Sequence, residues 1–280
     1  MSTEQEDIIY NAPRGAGFQK LINGILKRAG LSDTRRSDMM SPKWMIMWGQ
    51  VFTDATANDD LNYEIFENMG DSTAGHFIVK YMYRRFPQLL CPGGVKVVAR
   101  LKINYGARQS FSDIADRLQF WDYISASEDK RSRKKKDLLE DVFESVIGLM
   151  EYIGDIIYKD GVGNVIAYGF LKSLFDEIPI SLSYTELYDA KTRLKELYDF
   201  YKKTSPIGLL KYNNVRDINT GIFKVSMTNT VGGREVVIGS GASTKLKDAE
   251  QKAAKMGLVS LAHMGLTKQV PQEYAKFNSL

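Results

Sequence analysis

Glu64, Glu67 and Asp71 stand at i, i+3 and i+7 in NYEIFENMGDS (62–72). On an α-helix that spacing puts all three carboxylates on one face, where like charges repel. A helix keeps such a stripe when water solvates it or when a cation sits on it. EDVFES (140–145) repeats the pattern, with Asp141 and Glu144 sharing a face at i and i+3. Its neighbours Val142, Phe143, Val146, Ile147 and Leu149 are apolar, which predicts a largely buried helix whose acids need partners. Glu140, beside Asp141, is expected to point to solvent. Hard oxygen ligands from two helices suit magnesium, which keeps waters and takes a few carboxylates plus substrate phosphate. Such an ion activates water against a phosphodiester and steadies the leaving oxygen. Acids at i and i+3 occur on many surface helices, so a solvated face competes for each stripe alone. The pairing of two such helices weighs toward the ion. So does Gly70, where a small residue would let a partner helix come close.

Periodicity names the elements that must hold these acids. The chain has 280 residues, enough for roughly two domains at about 150 residues each. With 44% hydrophobic and 26% charged residues it is neither disordered nor fibrous. From Phe18 to about Phe175 apolar residues recur at helical spacing in FQKLINGILKRA, MIMWGQVF, FIVKYMYRRF, FSDIADRLQFW, DLLEDVFESVIGLMEYI and VIAYGFLKSLF. Pro87, CPGG (91–94), a charged loop at 125–136 and KDGVGN (159–164) separate them. An all-α domain over 18–176 is therefore expected, after a partly ordered lead-in at 1–17. A linker follows at 177–184. Beyond it, an amphipathic helix precedes three alternating segments, GLLKYNNVRDI, TGIFKVSMTNT and REVVIGSG, with GGR (232–234) placed for a hairpin turn. LKDAEQKAAKMGLVSLAHM closes an α-β-β-β-α domain at 185–266, and 267–280 reads as a loose tail.

Charge divides along the same line. From Tyr184 onward there are fifteen Lys/Arg against nine Asp/Glu, whereas the preceding residues hold 23 against 25. A basic part suits a polyanion, and an acidic part concentrates carboxylates. KRSRKKK (130–136) reads as a solvated loop that could also meet phosphate close to the acids. Lys245 and Lys247 precede the last helix and Lys252 lies in its first turns, where the helix N-terminus favours phosphate. Lys195 lies on the first helix of the same domain. His76 and His263 read as packing or surface residues, and Trp44, Trp48 and Trp121 as core. GSGAS lacks the ending of a P-loop. One cysteine, Cys91, allows no internal disulfide, and no Cys/His cluster offers a zinc site. No membrane helix or secretory leader is expected, and an intracellular, cytoplasmic setting fits.

At these residues the chain resembles ribonuclease III. NYEIFENMGDS carries that family's signature of Glu, Glu three on, then Gly-Asp-Ser. FIVKYMYRRFP (77–87) fits the helix that continues it, and DVFESVIG (141–148) fits the second acidic block. GASTKLKDAEQKAA (241–254) and KTRLKEL (191–197) resemble a double-stranded-RNA-binding domain. The resemblance implies a magnesium-dependent endoribonuclease, with manganese able to substitute. It implies a homodimer that holds an RNA duplex and cuts one strand per centre, leaving 5′-phosphates and short 3′ overhangs. Glu67, Asp71, Asp141 and Glu144 would be the metal-site acids, Glu144 the most essential, and Glu64 a supporting acid. Lys245, Lys247, Lys252, Lys195 and Glu196 would meet RNA, Glu196 at a 2′-hydroxyl. Asn68 and Met69 replace the family's aromatic and leucine at the dimer contact. NNVRDINTG replaces the usual Gly-Pro-His-like loop. A non-catalytic duplex-RNA-binding protein that sequesters RNA, such as a silencing suppressor, is the rival reading, and a structural ribosome component a third. The five acids separate the enzyme from both.

Overall fold

A computed structural model describes residues 8–202, 207–231 and 233–277. The chain forms two compact units that divide between Ile180 and Ser181. The first is helical: α1 (Ala16–Arg28), α2 (Asp33–Met39), α3 (Pro42–Gln50), α4 (Glu64–Arg85), α5 (Gly94–Tyr105), α6 (Arg108–Arg117), α7 (Glu128–Arg133), α8 (Lys135–Ile157) and α9 (Val162–Phe175). Helix α8 is the axis, with every residue from Val142 to Met150 buried and α4, α6 and α9 packed against it. A helix apolar on all sides belongs at the centre of a bundle.

Several local expectations give way here. The second half of the lead-in is fixed: β1 (Ile9–Tyr10) pairs antiparallel with β2 (Ala126–Ser127), and Arg14 donates to Tyr123 O at 2.6 Å and Phe52 O at 3.1 Å. Helix α1 accordingly starts at Ala16, ahead of Phe18. Residues 1–7 lie outside the described residues. The basic run is not a loop, since Lys130–Arg133 form the end of α7 and Lys135 opens α8. Arg131 sits 4.0 Å from the ring centres of both Tyr10 and Trp121. Helix α2 leaves no periodic pattern in the sequence, and the pattern of α5, Val97, Val98 and Leu101, is short. DTRRSDM buries only Met39, and GVKVVARLKINY mixes β-branched residues with lysines directly after a Pro-Gly-Gly break.

The second unit contains α10 (Tyr184–Leu187), α11 (Ala190–Tyr201), strands β3 (Leu209–Arg216), β4 (Phe223–Val231) and β5 (Arg234–Ser243), then α12 (Leu246–His263) and α13 (Gln272–Ala275). The strands form one antiparallel sheet in the order β3-β4-β5. Its core gathers Leu194, Leu197, Val225, Met227, Ile238, Ala253 and Leu261. A Cβ at Gly239 or Gly241 would fall 2.3 Å from a carbonyl oxygen of α12, Ala253 or Ala249 respectively. Only glycine lets that helix lie so near the strand. In the expected hairpin turn Gly233 has φ +80°, and Gly232 lies outside the described residues. The tail is not loose as far as Phe277. Tyr274 and Phe277 are buried, and Tyr274 Oη lies 2.6 Å from Tyr188 Oη. Tyr184 and Leu187, at and beyond the end of the expected linker, are buried in the same unit.

Candidate active site

Helices α4 and α8 touch backbone to backbone at two glycines. A Cβ on Gly70 would lie 1.7 Å from Glu144 O, and one on Gly148 would lie 2.1 Å from Phe66 O. This contact brings two acidic stripes to one place. Glu64, Glu67 and Asp71 stand on α4, the first and last exposed and Glu67 half-buried. Asp141 is half-buried on α8, and Glu144 is buried at 7% exposure.

The electrostatics record the proximity. Burial pushes the Glu144 carboxyl up to about 8, helped by the charges of Asp71, Glu140, Glu67 and Asp141. Glu67 is pushed up to about 7 by burial and by Asp141, Glu64 and Glu140. Burial also raises Asp141, against the opposing pull of a hydrogen bond from Tyr63 and the charge of Lys130. No hydrogen-bond donor among the described residues reaches Glu144, so its carboxylate has no cation of its own. Carboxylates in that condition either take up protons or take up a cation. The residues therefore fit a divalent ion by donor chemistry. As the side chains stand, however, no three His, Cys, Asp or Glu groups among the described residues are gathered closely enough to hold a metal. The backbone contact brings the two helices together, while their carboxylates do not converge on one point.

Sequence reasoning missed the cations around this cluster. Arg108 reaches Glu140 at 2.6 Å and Asp137 at 2.8 Å. Glu140 thus does not point free into solvent: its partner lies on α6, a neighbour that helical spacing cannot reveal. Lys130, from the basic run, binds the buried Asp54 at 2.5 Å. Tyr63 Oη lies 2.7 Å from Asp54 Oδ2 and 2.8 Å from Asp141 Oδ2. Lys102 of α5 lies over Gly75, where a Cβ would fall 3.2 Å from its Nζ, one turn beyond Asp71. A hollow of about 430 Å³ beside Asp71 is lined by Gly75, Ile78, Lys102 and Phe111 among others. His76 and His263 are exposed, Trp44 and Trp48 are buried, and Trp121 is half-buried.

In the second unit Lys245 occupies the N-cap position of α12, and Lys247 follows in its first turn, both exposed. Lys195 and Lys247 line one groove of about 790 Å³. The exposed Lys252 donates to Ala242 O at 2.9 Å, tying its amine to the end of β5. Glu196 is engaged within the unit: its carboxylate accepts from Tyr184 Oη and, at 2.9 Å, from Lys268 Nζ. The 2′-hydroxyl role inferred for Glu196 would have to displace those donors.

Paired acidic helices in an all-α unit, followed by an α-β-β-β-α unit with lysines at a helix start, define a nuclease joined to a nucleic-acid-binding domain. The Ribonuclease III domain family matches residues 64–154, and the Double-stranded RNA binding motif matches residues 190–261. A protein of Invertebrate iridescent virus 6 bearing the ribonuclease 3 name is 37% identical, over 96% of each chain. One from Frog virus 3 is 42% identical over 78% of this chain and 57% of its own length. Ribonuclease 3 of Limosilactobacillus fermentum is 30% identical over 71% of this chain and 80% of its own. The chain belongs to the ribonuclease III family and is an endoribonuclease of that type. No helix among the described residues is long and apolar enough to cross a membrane.

Proposed function

We propose that the protein hydrolyses double-stranded RNA with magnesium as its metal, manganese being able to replace it. It would act as a homodimer in which each centre cuts one strand and leaves a 5′-phosphate and a short 3′ overhang. The observation that carries this reading is Glu144. It is buried and without a donor, on a helix pair that two glycines bring together and that also carries Glu67, Asp71 and Asp141. Glu67, Asp71, Asp141 and Glu144 would hold the ion, and exposed Glu64 would stand at the approach. When bound, the ion supplies charge stabilisation to the phosphodiester and acidifies attacking water. Asp141 keeps its orientation through Tyr63, and Glu144 exchanges its costly burial for a cation. Lys245 and Lys247 hold phosphate at the α12 N-terminus, with Lys252 one turn on and Lys195 on α11. Exposed Leu61 and Ile65, beside the acids, offer apolar surface for a second copy.

The test is incubation of long duplex RNA with the protein in magnesium and in EDTA. Cleavage is expected only with the metal, and Glu144→Ala is expected to abolish cutting while duplex affinity persists. A wild-type chain that binds but never cuts would overturn the reading in favour of sequestration.

A further inference from the structure

The basic run and the acid cluster are joined by a chain of polar contacts that the resemblance does not supply. Asp54 is 1% exposed, in the segment between α3 and α4. Its carboxylate accepts from Thr56 N at 2.9 Å and from Lys130 Nζ at 2.5 Å. The same ammonium lies 3.5 Å from Tyr63 Oη. Tyr63 is 3% exposed and pinned through its backbone: its N–H donates to Thr53 O at 3.0 Å, and its carbonyl lies 3.2 Å from Ser145 Oγ on α8. The phenol has one proton and two candidate acceptors, Asp54 Oδ2 and Asp141 Oδ2. Asp54 already holds a cation. Asp141 has no such cation bonded to it among the described residues, so the phenolic proton relieves more charge there than on Asp54.

The geometry points to Tyr63 as a positioning residue for the candidate metal centre, with Asp54 and Lys130 fixing its direction. Its hydroxyl holds one oxygen of Asp141 and leaves the other for a divalent cation. The single Ser145 hydroxyl proton lies between Asp141 O, at 2.7 Å, and Tyr63 O, at 3.2 Å, so that this side chain sits where the two backbones meet. The arrangement explains why a lysine of the basic run is turned inward. Its charge acts on the acid site through a tyrosine, and is not spent on solvent. This inference rests on reading Glu67, Asp71, Asp141 and Glu144 as a metal site. Groups that orient metal-binding carboxylates commonly change metal affinity or activity by about 10- to 100-fold when removed.

The experiment uses the full chain and Mn²⁺ alone, with binding followed by electron paramagnetic resonance in the absence of RNA. Tyr63→Phe keeps the ring and removes the hydroxyl. The expected result is Mn²⁺ binding weakened by about tenfold or more. In cleavage assays kcat falls while KM for duplex RNA stays within about twofold, because no RNA contact is removed. Lys130→Gln is expected to weaken Mn²⁺ severalfold, and Lys130→Arg to restore it. This pair decides the matter if Tyr63→Phe fails to fold. Tyr63→Phe with wild-type Mn²⁺ affinity and kcat overturns the positioning role, and so does a Lys130→Gln chain that matches Lys130→Arg. A wild-type chain that neither binds Mn²⁺ nor cuts overturns the metal-site reading itself, a different result from a working wild type matched by its variant.

Discussion

Glu144→Gln is expected to stabilise the metal-free protein while destroying its activity. The carboxyl of Glu144 stands at about 8, against an ordinary 4.5. Below pH 4.5 both folded and unfolded chains carry the proton, and the residue has no pH-dependent effect. Between 4.5 and about 8 the folded chain keeps a proton that the unfolded chain has released, so stability falls as pH rises. Above about 8 the loss is complete. At 1.36 kcal/mol per unit the shift sets a ceiling of roughly 5 kcal/mol. Water reaches the edge of the carboxylate, and Glu67 and Asp141 titrate with it, which leaves about 2 kcal/mol attributable to Glu144. The assay is urea unfolding in EDTA at pH 4 and pH 8.5, followed by tryptophan fluorescence. Trp44, Trp48 and Trp121 all lie in the first unit, so the signal reports the domain that carries the site. Wild type and Glu144→Gln should agree within about 0.5 kcal/mol at pH 4, where folded and unfolded wild type both carry the proton and the amide resembles the acid. At pH 8.5 the variant should be more stable by about 2 kcal/mol. Adding Mg²⁺ at a hundred times its Kd should return up to about 2.7 kcal/mol to wild type and little to the variant. Equal pH slopes for the two chains would refute the claim that Glu144 is buried among like charges.

Gly70→Ala drives a methyl into the Glu144 carbonyl, 1.7 Å away, and must separate α4 from α8. A loss of about 3 kcal/mol in the same urea assay and loss of cleavage are expected. A Gly70→Ala chain that stays stable and active would deny the backbone contact. Arg108→Ala removes a cation that holds Asp141 and Glu140 down. Both acids then rise, and the acid limb of the cleavage pH profile moves to higher pH. Because Arg108 is exposed, stability changes by less than about 1 kcal/mol. Lys245→Ala with Lys247→Ala should weaken duplex binding and lower the slope of log K against log salt by about 0.9 for each phosphate no longer neutralised. An unchanged slope would remove those lysines from the RNA surface.

Spacing alone made much of this protein legible. Glu64, Glu67 and Asp71 share a helix face because the helix repeats every 3.6 residues, and that holds wherever the helix packs. Asp141 and Glu144 follow by the same rule, and the apolar run around them places α8 in the core. The change from helical spacing to alternation marked the second unit. Gly70 showed that something lies close to α4. Its counterpart, Gly148, and the carbonyls of Glu144 and Phe66 that make both glycines necessary became apparent only when the helices were packed.

What the sequence by itself determined is the set of local faces: which acids share a side, which helix is buried, where the chain switches to strands. The tertiary structure decided who answers whom across the fold. Tyr63 meets Asp141, Lys130 meets Asp54, and Arg108 meets Glu140 across separations of 78, 76 and 32 residues. Tyr188 meets Tyr274 in what reads, from sequence, as a loose tail. The physical reason is range. Backbone geometry fixes neighbours three and four residues apart regardless of surroundings, whereas distant side chains become neighbours only when burial brings their elements together. A charge run such as KRSRKKK therefore looks solvated in isolation, until packing supplies a buried carboxylate for one of its lysines.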